Sequence, residues 1–432
     1  MKRVLGSGSW VLGLLVASFA TLAGQQEAPF SYAITGARIV PVSSAPIENG
    51  TVVFSAGVIT AIGGDIPVPP GAITIAGKGM TVYPGLIDMG SSAGLEAPAI
   101  ARAENPQTTE DIERVKRETL LRPHLRAADY KNPAAAALAK AAETGITAIL
   151  ATPASDGIRG QSALVLTSIG TDQPQIGALA DDRRGPLVVK TPVALHVGLA
   201  NSPAGGDAYP NSLMGNIAFN RQAFLDAQWY QQARTKAYSP AMDAMQPAIA
   251  GRMPVAFRAS TARDVSRALD MAKMFKLDPI ISGAREVDPV TAEIKAANAR
   301  VIYSLNFPTR RVSLAPEADE PLSALRDRAN APKGPAALDK AGILFAFESA
   351  GLSEVKDFVK NAQKTVASGL SKDAAIKALT LNAATLAGAA DRLGSRDKGK
   401  IANVIVTDGD LVEEKTTIKH VFVNGRPVTL PR

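Results

Sequence analysis

The sequence predicts an α/β chain in which a (β/α)8 TIM-like barrel carries a small β-sandwich built from both termini. Apolar β-like runs alternate with helical stretches from about residue 81 to residue 399, the pattern of a parallel sheet with crossover helices. Short β-rich segments stand at both ends of the chain, each too small to bury a core alone. With 432 residues and 46% hydrophobic content, there is enough apolar surface for one large core and a smaller satellite.

Taken in order, the segments 32–40, 50–55, 58–62 and 72–75 are β-rich and separated by Gly, Pro, Asn and Ser turns. The end of the chain repeats this reading at 404–407, 418–425 and 426–429, so residues 30–80 and 400–432 are expected to form one composite unit. Between them, β-like runs stand at 145–151, 187–189, 193–197, 254–257, 279–281, 299–303 and 342–347. Helical patterns fill the gaps at 261–275, 290–297, 353–368 and 372–387. In the first of these, Val265, Leu269, Met271, Ala272 and Phe275 recur at near-helical spacing, and Ser371 is expected to cap the next-to-last. The barrel is therefore expected over 81–399. A doubly wound open sheet is the architectural alternative, although no GxGxxG follows any of these strands.

Met1-Lys2-Arg3, the apolar run from Trp10 to Ala20 and the small residues near Ala23-Gly24 form the three parts of a secretory signal over 1–23. The expectation is an exported protein, periplasmic or secreted, with no stable membrane insertion after cleavage. The formal charge of +7 is not gathered into any block of five or six like charges, which argues against nucleic-acid binding. The chain has no cysteine, which excludes disulfides, thiol nucleophiles and Cys-ligated zinc together.

The run Thr81-Val-Tyr-Pro-Gly-Leu-Ile-Asp88-Met-Gly90-Ser-Ser92 resembles the opening of the amidohydrolase superfamily, in its secreted imidazolonepropionase-like and prolidase-like branch. Gly145-Ile-Thr-Ala is similar to the family's second strand, and the segment from Gly157 to Val165 to its following Gly-Gln loop. Asn220 to Tyr230 is similar to a helix after strand four, and Leu370 to Ala384 with Gly399-Lys-Ile-Ala-Asn403 to the closing helix and return strand.

The resemblance implies one or two divalent metals held by a PGLIDxHxH pair, histidines after strands five and six, an aspartate after strand eight and often a lysine after strand four. Two histidines separated by one residue suit a metal because alternate strand side chains face the same way. This chain has Gly90 and Ser92 where the pair belongs, Arg258 on strand five, Ser282 on strand six and Ala350 after strand eight. His196 falls at the lysine position, with Lys190 the second candidate. Only three histidines occur in the whole chain, where a catalytic zinc needs three protein ligands and an open position.

No catalytic residue is therefore assigned, and no cofactor is expected. The alternative is a rearranged site with one divalent metal, built from Asp88, Glu348 and a neighbour, hydrolysing C–N bonds. The pocket's polar residues are expected to be Asp88, Lys190, Arg258 and Glu348. Arg258 either pairs with Asp88 or Glu348 in the vacated site or, with Lys190, receives an anion. The leading expectation is a non-catalytic binding or partner subunit, assembling with a metal-replete amidohydrolase paralogue or with itself.

Overall fold

The computed structural model describes residues 31–91, 108–129, 135–153, 157–167, 188–199, 209–310, 315 and 318–431. The signal segment over 1–23, Ser92 and Leu187 lie outside the described residues. Among those described, no helix is long and apolar enough to cross a membrane.

Both ends of the chain meet in one eight-stranded sheet. Its order is Arg426–Pro427, Ile418–Val423, Val404–Thr407, Thr81–Pro84, Ser31–Ile39, Ile47–Ser55 and Val58–Gly63, with Ile73–Ala76 also pairing on Ser31–Ile39. The seam between the termini is the antiparallel ladder that sets Val404 opposite Pro84 and Thr407 opposite Thr81. Thr81–Pro84 thus belongs to this sheet, and the barrel begins just after it.

Two tight turns show why the sequence closes here. Ala56-Gly57 and Asn424-Gly425 each hold two successive residues at positive φ, the geometry of a two-residue hairpin turn that glycine adopts without strain. Behind these turns, the rings of Tyr32, Phe54 and Phe422 meet at centroid distances of 4.9 to 5.5 Å. They join strands from opposite ends of the chain in a core that also holds Ile34, Val52, Val404 and Val406. Phe422→Ala is expected to cost about 3–5 kcal/mol in urea unfolding. A loss under about 1 kcal/mol would show that the termini do not depend on a shared core.

The barrel wall runs through Leu86–Ser91, Ile146–Ala151, a split third position, Leu195–Gly198, Val255–Arg258, Pro279–Ala284, Arg300–Ser304 and Phe345–Glu348. The last five are parallel neighbours in chain order, as are the first two. The third position departs from the expected pattern. Ile158–Gln161 and Ala163–Leu166, expected as a loop, form strand that runs antiparallel to both neighbours, bridging Leu195–Gly198 on one side and Ile146–Ala151 on the other.

Glycine makes this reversal tolerable. A Cβ on Gly157 would lie 2.4 Å from the Leu120 carbonyl oxygen, and one on Gly160 would lie 2.5 Å from that of Leu125. Both residues also hold positive φ, so the chain at 120–126 can press directly against this strand.

Helices form where expected at Ala262–Phe275, Thr291–Ala296 and Asp357–Ala367. The first is capped by Thr261, whose side chain accepts from Asp264 N. Ser371 caps Lys372–Leu379, the last of the expected helical stretches and not the one before it, accepting from Ala374 N. The stretch expected as one helix over 372–387 is broken at Thr380, with φ −135° and ψ −89°, into Lys372–Leu379 and Leu381–Leu386. Leu213–Gln232 contains the anticipated 220–230 segment and is pinned to the barrel by Asn220 Nδ2, which donates to the Gly198 carbonyl at 2.9 Å.

Candidate functional site

The carboxyl ends of the parallel strands place Arg258, Ser304 and Glu348 as the final residues of three strands of one parallel run, with Pro279–Ala284 between the first two. This is the end at which barrel enzymes assemble their chemistry. Asp88 and Gly90 stand two apart on the first strand.

Asp88 is buried, and both of its oxygens are engaged. Oδ1 accepts from Ser349 N at 2.8 Å and Gly90 N at 3.2 Å, while Oδ2 accepts from Ser349 Oγ at 2.5 Å. Burial raises this carboxyl above its ordinary pKa, against the lowering effect of those three bonds. The result is a clasp between the first and eighth strands, where the sequence suggested a partner for Arg258 instead.

Glu348 is 2% exposed and fills the space that a side chain at position 90 would need. A Cβ on Gly90 would lie 2.4 Å from Glu348 Oε2 and 2.9 Å from Glu348 Cβ. Arg258 Nη1 stands 3.7 Å from Glu348 Oε1, so Glu348 and not Asp88 is the acid beside it, at a distance too long for a hydrogen bond. The guanidinium is 47% exposed, and a contact so long and so well screened contributes about 1 kcal/mol at most.

Burial is the dominant influence on the Glu348 carboxyl. It pushes the pKa up to about 8, with the Asp88 charge acting in the same direction and Arg258 and Arg159 opposing. Glu348 is therefore mostly protonated at neutral pH. Its Oε1 has no hydrogen-bond partner among the described residues. Gly283, at φ +73°, leaves the opening beside this pair: a Cβ there would sit 3.4 Å from Glu348 Oε1 and 3.5 Å from Arg258 Cζ.

The remaining predicted positions fall apart from this pair or add little to it. His196 is 2% exposed, level with Gly160 and Ala256 in the barrel wall. Burial drives its pKa down to about 3, with Arg159 and Arg258 adding to the shift, so the imidazole is neutral. Lys190 lies exposed on the edge strand Val188–Lys190 near Gly388, and it does not line the cavity at the barrel mouth. Ser282 is buried and donates only a long 3.4 Å bond to the Phe257 carbonyl. Ala350 lines the mouth cavity, and its side chain has no polar atom to offer a ligand.

A divalent cation does not fit this set. Asp88 already accepts three hydrogen bonds from Ser349 and Gly90, and Arg258 presents a permanent positive charge beside Glu348, which opposes a divalent cation there. Among the described residues, no three of His, Asp and Glu come together in a way that could hold a metal.

Above the pair, a cavity of about 230 Å³ opens between Arg258, Ser260, Arg285, Ser304, Asn306 and Ala350. Sequence reasoning missed Ser349, Arg285 and Asn306. Their only signal was proximity to the strand ends: Ser349 follows Glu348 directly, and Arg285 stands three residues beyond Ser282.

Residues 288–428 match the amidohydrolase family. No curated protein sequence matches the chain. Among solved structures, an amidohydrolase from Thermotoga maritima is similar at 20% identity and a TM-score of 0.73, covering 93% of this chain and 100% of its own. A Xaa-Pro dipeptidase with bound methionine in its active site is 17% identical, with a TM-score of 0.53, covering 92% of this chain and 99% of that one. An adenosine deaminase from Xanthomonas campestris with bound zinc is 14% identical, with a TM-score of 0.52, covering 93% of this chain and 95% of its own. At these identities the likeness establishes the fold.

Proposed function

We propose that this amidohydrolase-superfamily chain is an exported protein that does not run metal-dependent hydrolysis and serves as a binding or partner subunit. The observation that carries the reading is Glu348 occupying the space over Gly90, with Arg258 beside it. Where the resemblance implies a histidine pair gripping a metal, this chain has a protonated acid packed against a glycine. Folding the barrel needs none of the lost ligands, because its core is apolar and its first and eighth strands are clasped by Asp88 and Ser349. Such a chain retains its surface, and a subunit that stabilises a metal-replete paralogue or a second copy of itself uses only that surface.

One observation favours a second reading, a C–N hydrolase with a rearranged site. Glu348 is a carboxylic acid whose pKa is raised to about 8 at the carboxyl end of a barrel, where a general acid would be useful. That reading lacks an activated nucleophile among the described residues: His196 Nε2 is buried without a hydrogen-bond partner, and no serine is hydrogen-bonded to it.

Co-expression with an intact secreted amidohydrolase from the same genome, followed by size-exclusion chromatography with light scattering, separates the two readings. The partner reading expects co-elution of the two chains or a homo-oligomer, with no hydrolysis of dipeptides or cyclic amides by this chain alone. A monomer that elutes separately and hydrolyses such substrates would establish the rearranged enzyme instead.

A further inference from the structure

The cavity at the barrel mouth contains two guanidiniums that the lost metal site does not explain. Arg258 is 47% exposed and makes only the 3.7 Å contact with Glu348 among its described ion pairs. Arg285 has a buried Nε without a hydrogen-bond partner among the described residues, and its Nη1 donates only a long 3.5 Å bond to the Asn306 carbonyl. Both line the same cavity, with Ser260, Ser304 and Asn306.

Among the described residues, the one acid in the lining of this cavity does not pair with either guanidinium. Asp264, the carboxylate that also lines the cavity, is already bound by Arg267 Nη1 at 2.9 Å and by Thr261 Oγ1 at 2.7 Å. Glu348 keeps its proton near neutrality, so it does not neutralise Arg258 there. Ser304 Oγ accepts from Asn306 N at 3.3 Å, which leaves its hydroxyl hydrogen available to donate. The volume of about 230 Å³ lies below the usual range for drug-sized ligands.

We propose that this cavity binds a small molecule through a carboxylate or phosphate group, held by the guanidiniums of Arg258 and Arg285 with Ser304 as a further donor. Guanidinium forks match the planar or tetrahedral oxygens of such anions, and two of them facing one small cavity give charge-assisted bonds from two sides. The inference deepens the binding-subunit reading and rests on it, since a metal ion at the mouth would itself hold an anion.

The test is calorimetric titration of the purified full-length chain at pH 7 in low-chloride buffer, with inorganic phosphate and acetate as separate titrants. Saturable binding of at least one anion is expected, and the stronger of the two identifies the group recognised. Arg285→Gln and Arg258→Gln should each weaken it by about tenfold or more, while Arg285→Lys retains part of it; circular dichroism melts confirm that each variant is folded. Absence of saturable binding by both anions, or unchanged binding in both folded glutamine variants, overturns the proposal. Metal content measured on the same sample keeps the two readings separate: a metal-free protein that binds no anion sinks this inference alone, and stoichiometric metal sinks the reading beneath it.

Discussion

Glu348→Gln is expected to stabilise the protein at pH 8–9 and to flatten its dependence of stability on pH. The folded chain keeps the Glu348 proton up to about pH 8, whereas an unfolded glutamic acid releases it near 4.5. Stability associated with the protonated acid is therefore fully present below about pH 4.5 and is lost as pH rises toward about 8. Glutamine has nearly the same shape and cannot ionise, so it should avoid this loss. The variant should exceed the parent by a few kcal/mol at pH 8–9, with the difference shrinking toward pH 5. His196 acts in the opposite window: its pKa lies near 3 in the fold, so its burial costs stability as pH falls below 6.5. Urea unfolding between pH 6.5 and 8, above the His196 window, thus reads the glutamate, and parallel curves for parent and variant over that range would contradict its placement in a dry site.

Gly90→Ala is expected to destabilise the protein by roughly 1–3 kcal/mol, a large cost for adding one methyl group. The new Cβ would stand 2.4 Å from Glu348 Oε2 and 2.9 Å from Glu348 Cβ. Glu348 is buried and cannot swing into solvent without opening the barrel end. In a Glu348→Ala background the same substitution should cost less, because the carboxyl group is gone and only the 2.9 Å approach to Cβ remains. A double-mutant cycle by urea unfolding measures this coupling, expected at about 1 kcal/mol or more. Additivity within about 0.5 kcal/mol would show that residue 90 and Glu348 do not compete for the same space. Gly90→His meets the same obstruction.

Much of the architecture was legible because its signals are local. Ser371 advertised a helix cap, and the apolar runs at 145–151 and 342–347 the buried barrel strands. The reversed third strand was not legible, since strand direction depends on which segment lies alongside it and Gly157 and Gly160 declare only that something approaches closely. Thr109–Leu120 escaped for another reason: it buries only Lys116 and Leu120, so it has little apolar periodicity to detect, although Thr108 caps it through Asp111 N.

The site divides along the same line. Residue types at 90, 258 and 348 could be read from the chain, and so could an arginine pairing with an acid. That Glu348 is that acid and occupies the space over Gly90, that Asp88 turns to Ser349, and that Arg285 joins Arg258 at the mouth all depend on contacts between strands distant in sequence.

The central claim is that side chains of this chain fill the place where an amidohydrolase metal would sit. Elemental analysis of the purified full-length protein, after extensive dialysis without chelator, tests it most directly. Far less than one zinc, manganese, iron or other divalent transition metal per chain is expected, with a melting temperature unchanged by a chelator. About one tightly held metal per chain, with the melting temperature falling when it is stripped, would contradict it.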